Sequence, residues 1–237
     1  MLVLEGFDTT KQTKELQLPQ IGELILFPFC NRIDIHDLYS IANSDLKYLI
    51  DQIPLYNNKK YVTVNMTTQI LSPKVTAAPR SNWHFDANSF EDDEETHIHL
   101  LISDCTATTE FVKNRVILDN FSKNDSLTDV EVFLNHNEEI LGEMVKINPN
   151  RFITFNGAKH LHRAINSTEF EFRFTMRVME SDDVAPSRDN PIHYQSSVYN
   201  DNITSLKQVT KEYVMNNETT RLPSIDKGKE TIKLYFN

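Results

Sequence analysis

The chain has 237 residues, of which 39% are hydrophobic and 24% charged. That is enough to bury a sizeable core and too ordinary a composition for wholesale disorder. Its 24 Lys and Arg against 34 Asp and Glu give a net charge of −10, which disfavours a phosphate backbone as partner. No stretch approaches the roughly 18 apolar residues of a membrane span. Met1-Leu2-Val3-Leu4-Glu5-Gly6 lacks the basic-then-apolar opening of a secretory signal. The expectation is a cytoplasmic protein with neither nucleic acid nor membrane among its partners. Cys30 and Cys105 read as core thiols, too few and too far apart for a disulfide framework or a thiolate zinc site.

In chain order, residues 22–29 read as a short buried strand ending at Pro28. From Ile33 to Ile53, apolar residues at Ile35, Leu38, Ile41, Ala42, Leu46, Leu49, Ile50 and Ile53 recur at helical spacing. Pro54 stops the run, and Asn43-Ser44 is a natural division into two short helices. The period then changes. Tyr61 to Met66 alternates as a half-buried strand does, and so do His97–Ile102, Asp129–Leu134, Glu143–Ile147, Arg151–Phe155 and Glu169–Met179. Polar turns such as Ser122-Lys123-Asn124-Asp125 and Asn148-Pro149-Asn150 separate them. Beyond Ser181 the chain turns polar, with a helix expected over 205–215 and a last strand over 231–236. This pattern predicts a single domain, 1–237. Its core, about 60–180, is a mostly antiparallel sandwich or barrel, with helices 33–53 packed outside and a C-terminal extension 181–237.

Asn82-Trp83-His84-Phe85-Asp86 contains His-x-Asp. On a strand, residues two apart share a face, so His84 and Asp86 can enter one ligand sphere. Two imidazoles and one carboxylate on one face of an octahedron suit non-haem Fe(II), with the other positions left for substrate and O2. A third ligand is offered further on. In residues 151–164 a strand of aromatic and β-branched residues meets Gly157 and then presents His160 and His162, either of which can complete the set. After a turn at Asn166-Ser167, alternation puts Phe172, Phe174, Met176 and Val178 on one face and Arg173, Thr175 and Arg177 on the other. Two Arg on one face of an apolar strand are costly to bury without anions. A dicarboxylate co-substrate would supply one through a bidentate guanidinium contact.

Together these residues resemble the Fe(II)/2-oxoglutarate-dependent dioxygenases, in the taurine-dioxygenase-like or a related compact branch. Trp83-His84-Phe85-Asp86 matches the family's His-x-Asp, and residues 99–111 look like its strand and Thr-containing loop. His162 precedes Arg173 by 11 residues and Arg177 by 15, which resembles the family's His-to-Arg spacing. Ala107-Thr108 stands where that branch carries Gly-Gly, and Asp86 and His162 are closer in sequence than in taurine dioxygenases. The resemblance implies a mainly β fold with flanking helices, the cupin-like double-stranded β-helix or jelly roll. It implies Fe(II) on His84, Asp86 and His162, with His160 beside the ligand set. It further implies 2-oxoglutarate anchored by Arg173 with Thr109, and Arg177 as a second clamp or substrate contact. The implied reaction hydroxylates an unactivated C–H of a small or amino-acid-like substrate with O2, releasing succinate and CO2. A carboxylate at position 86 fits hydroxylation rather than halogenation. Two other readings stand beside it: a metal-dependent cupin-type enzyme that does not use 2-oxoglutarate, and a non-catalytic jelly-roll binding module.

Plainer roles are expected for the neighbours. Trp83 reads as packing beside the metal, and His97 and His99 as solvent-facing or barrel-wall residues. The acidic run 91–95 reads as a solvated loop.

Overall fold

The computed structural model describes residues 1–24, 27, 29–77, 82–87, 89–90, 96–187 and 192–193. The chain opens with β1 (Leu2–Leu4), α1 (Ile21–Leu24) and β2 (Phe29–Asp34), followed by α2 (Ile35–Ile41) and α3 (Ser44–Asp51). Then come β3 (Tyr61–Leu71), β4 (His97–Ile102), β5 (Thr109–Val112), β6 (Val116–Leu118) and α4 (Leu127–His136). A 3-10 turn (Glu138–Leu141) leads to β7 (Met144–Lys146), β8 (Ile153–Asn156), β9 (His162–Ala164), β10 (Glu171–Ser181) and β11 (Ile192–His193).

Two antiparallel sheets face each other in a jelly-roll-like arrangement. The major sheet has the order β11-β2-β3-β10-β4-β8, and the minor sheet the order β7-β5-β9. A separate ribbon pairs β1 with β6. Between the sheets, Ile98, Leu100 and Ile102 of β4 and Ile153 and Phe155 of β8 meet Phe111 of β5. The long strand β10 sits at the centre of the major sheet, in register with β3 on one side and β4 on the other. Its Phe174, Met176 and Val178 face outward, where Leu38 of α2 and Leu46, Leu49 and Ile50 of α3 cover them. The odd-numbered residues Arg173, Thr175 and Arg177 face inward. No helix among the described residues is long and apolar enough to cross a membrane.

The helix division falls where local chemistry puts it. Asp34 caps α2 by accepting from His36 N at 2.8 Å, and Asn43 caps α3 by accepting from Leu46 N at 2.9 Å. Two expectations are overturned. Residues 22–29 are not one strand: a short helix runs to Leu24, its start held by Glu23 accepting from Gln20 N at 3.2 Å, and the strand begins at Phe29. Residues 129–134 are helical, not extended. Val130 and Leu134, four apart, are buried on one side while Val132 is 52% exposed, so the 3.6-residue period prevails over an alternation too short to exclude it. The expected helix 205–215 and strand 231–236 lie outside the described residues.

The helical layer is pinned to the end of β10 by a buried polar network. Glu180 accepts from Tyr56 N at 2.9 Å, Asn57 N at 2.8 Å and His99 Nε2 at 2.8 Å. His99 Nδ1 meets Thr154 Oγ1 at 2.9 Å. His99 is thus a fully buried wall residue rather than a solvent-facing one. Burial pushes His99 below its ordinary 6.5, against the pull of Glu180. Burial alone would raise Glu180, but the Tyr56 and Asn57 N–H groups and the imidazole outweigh it and hold the carboxyl below its ordinary 4.5. Both shifts have the same sign in stability. Below either ordinary value the unfolded chain takes up a proton that the folded chain refuses. Urea unfolding should therefore show stability falling from about pH 6.5 downward and further through the carboxylate range. Glu180→Ala, which strands three donors, should cost about 3 kcal/mol at neutral pH.

Candidate metal centre

The metal-capable residues meet through backbone pairing. His84 N donates to His162 O at 2.9 Å and His162 N to His84 O at 3.2 Å, an antiparallel bridge that adds the 82–86 segment to the edge of the minor sheet. Directly opposed residues of such a pair project to one face, and the two imidazole centroids stand 4.5 Å apart. Asp86, two residues on, falls on the same face, its N–H donating to Gly157 O at 3.0 Å. Ligand atoms of His84, Asp86 and His162 all lie within 4.8 Å of one another. The close approach of the turn before β9 needs a glycine, because a Cβ on Gly157 would run into the Asp86 carbonyl oxygen.

Both rings are oriented from behind. His84 Nδ1 donates to Asn82 O at 2.8 Å, and His162 Nδ1 to His160 O at 3.1 Å. A carbonyl can only accept, so each Nδ1 carries the proton and each Nε2 is the ligand atom. His162 Nε2 faces Asp86 Oδ2 at 3.2 Å. With Nδ1 protonated, that contact calls for positive charge, either a second proton on the ring or a metal ion between the two. Phe111 stacks on His162 at 5.2 Å and Phe155 meets it edge-on at 5.1 Å, which fixes the ring and keeps water from its back.

The electrostatics match a cation site. Burial, then the neighbouring His162 and Arg177 charges, push His84 down to about 4, so it is neutral and ligand-competent at physiological pH. Burial alone would raise Asp86, but Arg177 Nη2 at 3.1 Å and His162 hold its carboxyl well below the usual carboxylate range. Two imidazoles and a carboxylate are a donor set for a first-row transition metal with open positions.

The inner face of β10 continues the site. Arg173 is 6% exposed, and its Nε donates to Ala107 O at 2.7 Å and its Nη1 to Gln69 Oε1 at 3.3 Å. Gln69 is its register partner on β3 and is fixed by donating from Nε2 to Ala77 O at 3.0 Å. Both partners of Arg173 are neutral, and no carboxylate ion-pairs with it among the described residues. Four residues on, about 13 Å along the strand, Arg177 reaches Asp86. Between them, Thr175 Oγ1 is buried without a hydrogen-bond partner, as are Arg177 Nε and Thr108 Oγ1. Orphaned buried groups of this kind are uncommon without a ligand.

Of the two candidate histidines, His162 is brought to His84 and Asp86. His160 lies outside the cluster, its Nδ1 3.1 Å from both the N and the O of Asn156 and its ring edge-on to Phe7. Thr109 is buried at the start of β5, two residues beyond the Ala107 carbonyl that holds Arg173. Trp83 points to the opposite side of its strand, where it packs with α4 and Arg163 lies over its ring at 4.3 Å. The acidic run 91–95 lies outside the described residues. Sequence reasoning missed Gln69, because its pairing with Arg173 depends on strand register. It also missed the Gly157–Asp86 contact, whose only sequence signal is a glycine between a strand and a histidine.

No family model matches the chain, and no curated protein matches it. Among solved structures, NgTET1 in complex with 5mC DNA is similar at 16% identity, over 75% of this chain and 54% of its own, with a TM-score of 0.30. This chain thus spans about half the length of that protein. EvdO2 from Micromonospora carbonacea var. aurantiaca is similar at 10% identity over 68% of this chain and 71% of its own, with a TM-score of 0.27. Its complex with 2-oxoglutarate gives 0.28 over 72% of that chain. Likeness of this degree carries no functional argument, and the reading rests on the residues of the site.

Replacing Gly157 by Ala tests the packing of the centre. The new methyl should displace Asp86 and weaken divalent-metal binding about 10- to 100-fold, measured by calorimetric titration with the fold checked by circular dichroism.

Proposed function

We propose that the chain is an Fe(II)- and 2-oxoglutarate-dependent oxygenase, acting as a single domain, that hydroxylates a C–H bond of a small or amino-acid-like substrate with release of succinate and CO2. The observation that carries this reading is the pairing of two features on one interior surface. Three metal-capable side chains converge at one end of the interior, and on the facing strand β10 a buried Arg173 hydrogen-bonds only neutral groups, with Glu171 acting on it through its field and no carboxylate in direct ion pair among the described residues. A metal site alone does not need the second feature. Burying a guanidinium against neutral acceptors is costly unless an anion completes its shell.

In this reading His84 Nε2, His162 Nε2 and the Asp86 carboxylate hold the iron. Bound there with O2 and 2-oxoglutarate, the iron supplies the oxidising chemistry. The chain's own residues bind, orient and exclude water. Arg173, fixed by Ala107 and Gln69, receives the distal carboxylate of the co-substrate, with the neighbouring Thr109 assigned to the same anchor. Thr175 Oγ1 and Arg177 Nε, buried and unpartnered, offer hydrogen bonds to polar atoms lying between Arg173 and Asp86. Arg177 also steadies Asp86 in its ionised form. The net charge of −10 argues against a polyanionic substrate.

The test is an anaerobic titration of the full chain with Fe(II) and 2-oxoglutarate, following the visible metal-to-ligand charge-transfer band. The band should form with the native chain and be absent in His84→Ala. In Arg173→Lys it should need about thirtyfold more 2-oxoglutarate, the equivalent of about 2 kcal/mol for a lost bidentate contact. A folded chain that binds Fe(II) but gives no band would point to a metal-only cupin-type enzyme. A folded chain that binds neither would point to a non-catalytic binding module.

A further inference from the structure

The segment that carries His84 and Asp86 is an edge. On one side its even-numbered residues pair with β9 and with the Gly157 turn. On the other side no strand flanks it among the described residues. There α4 supplies side chains in the place where a neighbouring strand would supply main chain. Asn135 Oδ1 accepts from Trp83 N at 2.9 Å, and Asn135 Nδ2 donates to Trp83 O at 2.8 Å. Glu131 Oε1 accepts from Phe85 N at 2.8 Å. The N–H groups of Trp83, His84, Phe85 and Asp86 are therefore satisfied alternately from the two sides, odd residues by α4 and even residues by β9 and the Gly157 turn.

Glu131 and Asn135 are four apart on one helix and so point the same way. Asn135 Nδ2 also donates to Glu131 O at 2.7 Å, which settles which end of the amide is the donor. The helix is seated independently by Val130 and Leu134, buried in the same cluster as Trp83 and Phe85.

We propose that Glu131 and Asn135 are positioning residues of the metal centre, holding the backbone of 83–85 from outside so that His84 and Asp86 face His162 before an ion arrives. The inference rests on the metal-centre reading given above. Covering an exposed edge needs no more than a helix laid over it, without hydrogen bonds from the helix side chains to the edge backbone. Instead, α4 makes three side-chain hydrogen bonds, all to Trp83 and Phe85, the residues on either side of His84, and Phe85 also adjoins Asp86.

The experiment is Co(II) titration of the full chain, read by the ligand-field absorption of the bound ion, with amide exchange of the metal-free protein measured alongside. Glu131→Ala and Asn135→Ala should each weaken Co(II) binding about 10- to 100-fold and speed exchange at Phe85 and Trp83 respectively, with the fold retained by circular dichroism. Glu131→Gln keeps the acceptor and should restore native affinity. Val132→Ala, on the exposed side of the same helix, should bind as the native chain does. Should Asn135→Ala fail to fold, Asn135→Asp, which keeps the acceptor for Trp83 N but removes the Nδ2 donors to Trp83 O and Glu131 O, serves in its place with the same expected loss. Native affinity in the alanine variants, with binding still abolished by His84→Ala, would overturn the positioning role alone. A loss in Glu131→Ala that Glu131→Gln does not restore would overturn it too, because charge rather than the hydrogen bond would then be at work. Absence of His84-dependent binding in the native chain would overturn the metal-centre reading and this inference together.

Discussion

The reciprocal pair of main-chain hydrogen bonds between His84 and His162 is the constraint on which the site depends. It joins two segments distant in the chain and decides which side of each is interior. Because side chains alternate along an extended segment, a slip of one residue in this pairing would turn both imidazoles outward and bring Trp83 inward. The order of the minor sheet then follows. β9 pairs with β5, β5 brings Phe111 against His162, and Phe155 from the facing sheet closes on the same ring. A few backbone contacts thus set the convergence of His84, Asp86 and His162, the aromatic packing and the sheet order at once.

β10 faces that geometry with a polar surface. Its outward residues give the helices α2 and α3 their apolar floor, and its inward residues carry Arg173, Thr175 and Arg177. Central strands are usually apolar on both faces when both are covered. Here the inner face is polar at three successive inward positions, and the cost is met by specific partners at only part of them. Gln69 and Ala107 serve Arg173, and Asp86 serves one nitrogen of Arg177. The remaining donors and acceptors on this face are what a ligand would satisfy.

Much of this was legible in the sequence where the signal is local. β4 coincides with the run 97–102, and the helical stretch divides at Asn43, because alternation and Asn capping are written into a few adjacent residues. The two faces of β10 followed from the same alternation. His-x-Asp was visible because both members lie on one short segment. What was not legible is relational. Nothing local separates His160 from His162, since the difference lies in which backbone meets His84 across the sheet. Gln69 beside Arg173 depends on register, and Asn135 on Trp83 depends on how α4 docks. The helix α4 itself was read as a strand because Asp129-Val130-Glu131-Val132 fits both periods over so few residues, and only burial of Val130 and Leu134 separates them.

The inner face of β10 has a further consequence for how ligands bind relative to one another. Glu171, Arg173 and Arg177 share the odd-numbered positions of the strand, and with Asp86 their formal charges sum to zero. A divalent cation held by His84, Asp86 and His162 would leave this partly buried surface two charges in excess. A dicarboxylate dianion alone would leave it two in deficit. Each would make the other easier to accommodate, and by thermodynamic reciprocity each would raise the other's affinity by the same factor. On the proposed reading, the neutral charge sum of this surface would make cation and dianion a cooperative pair of ligands rather than two independent ones.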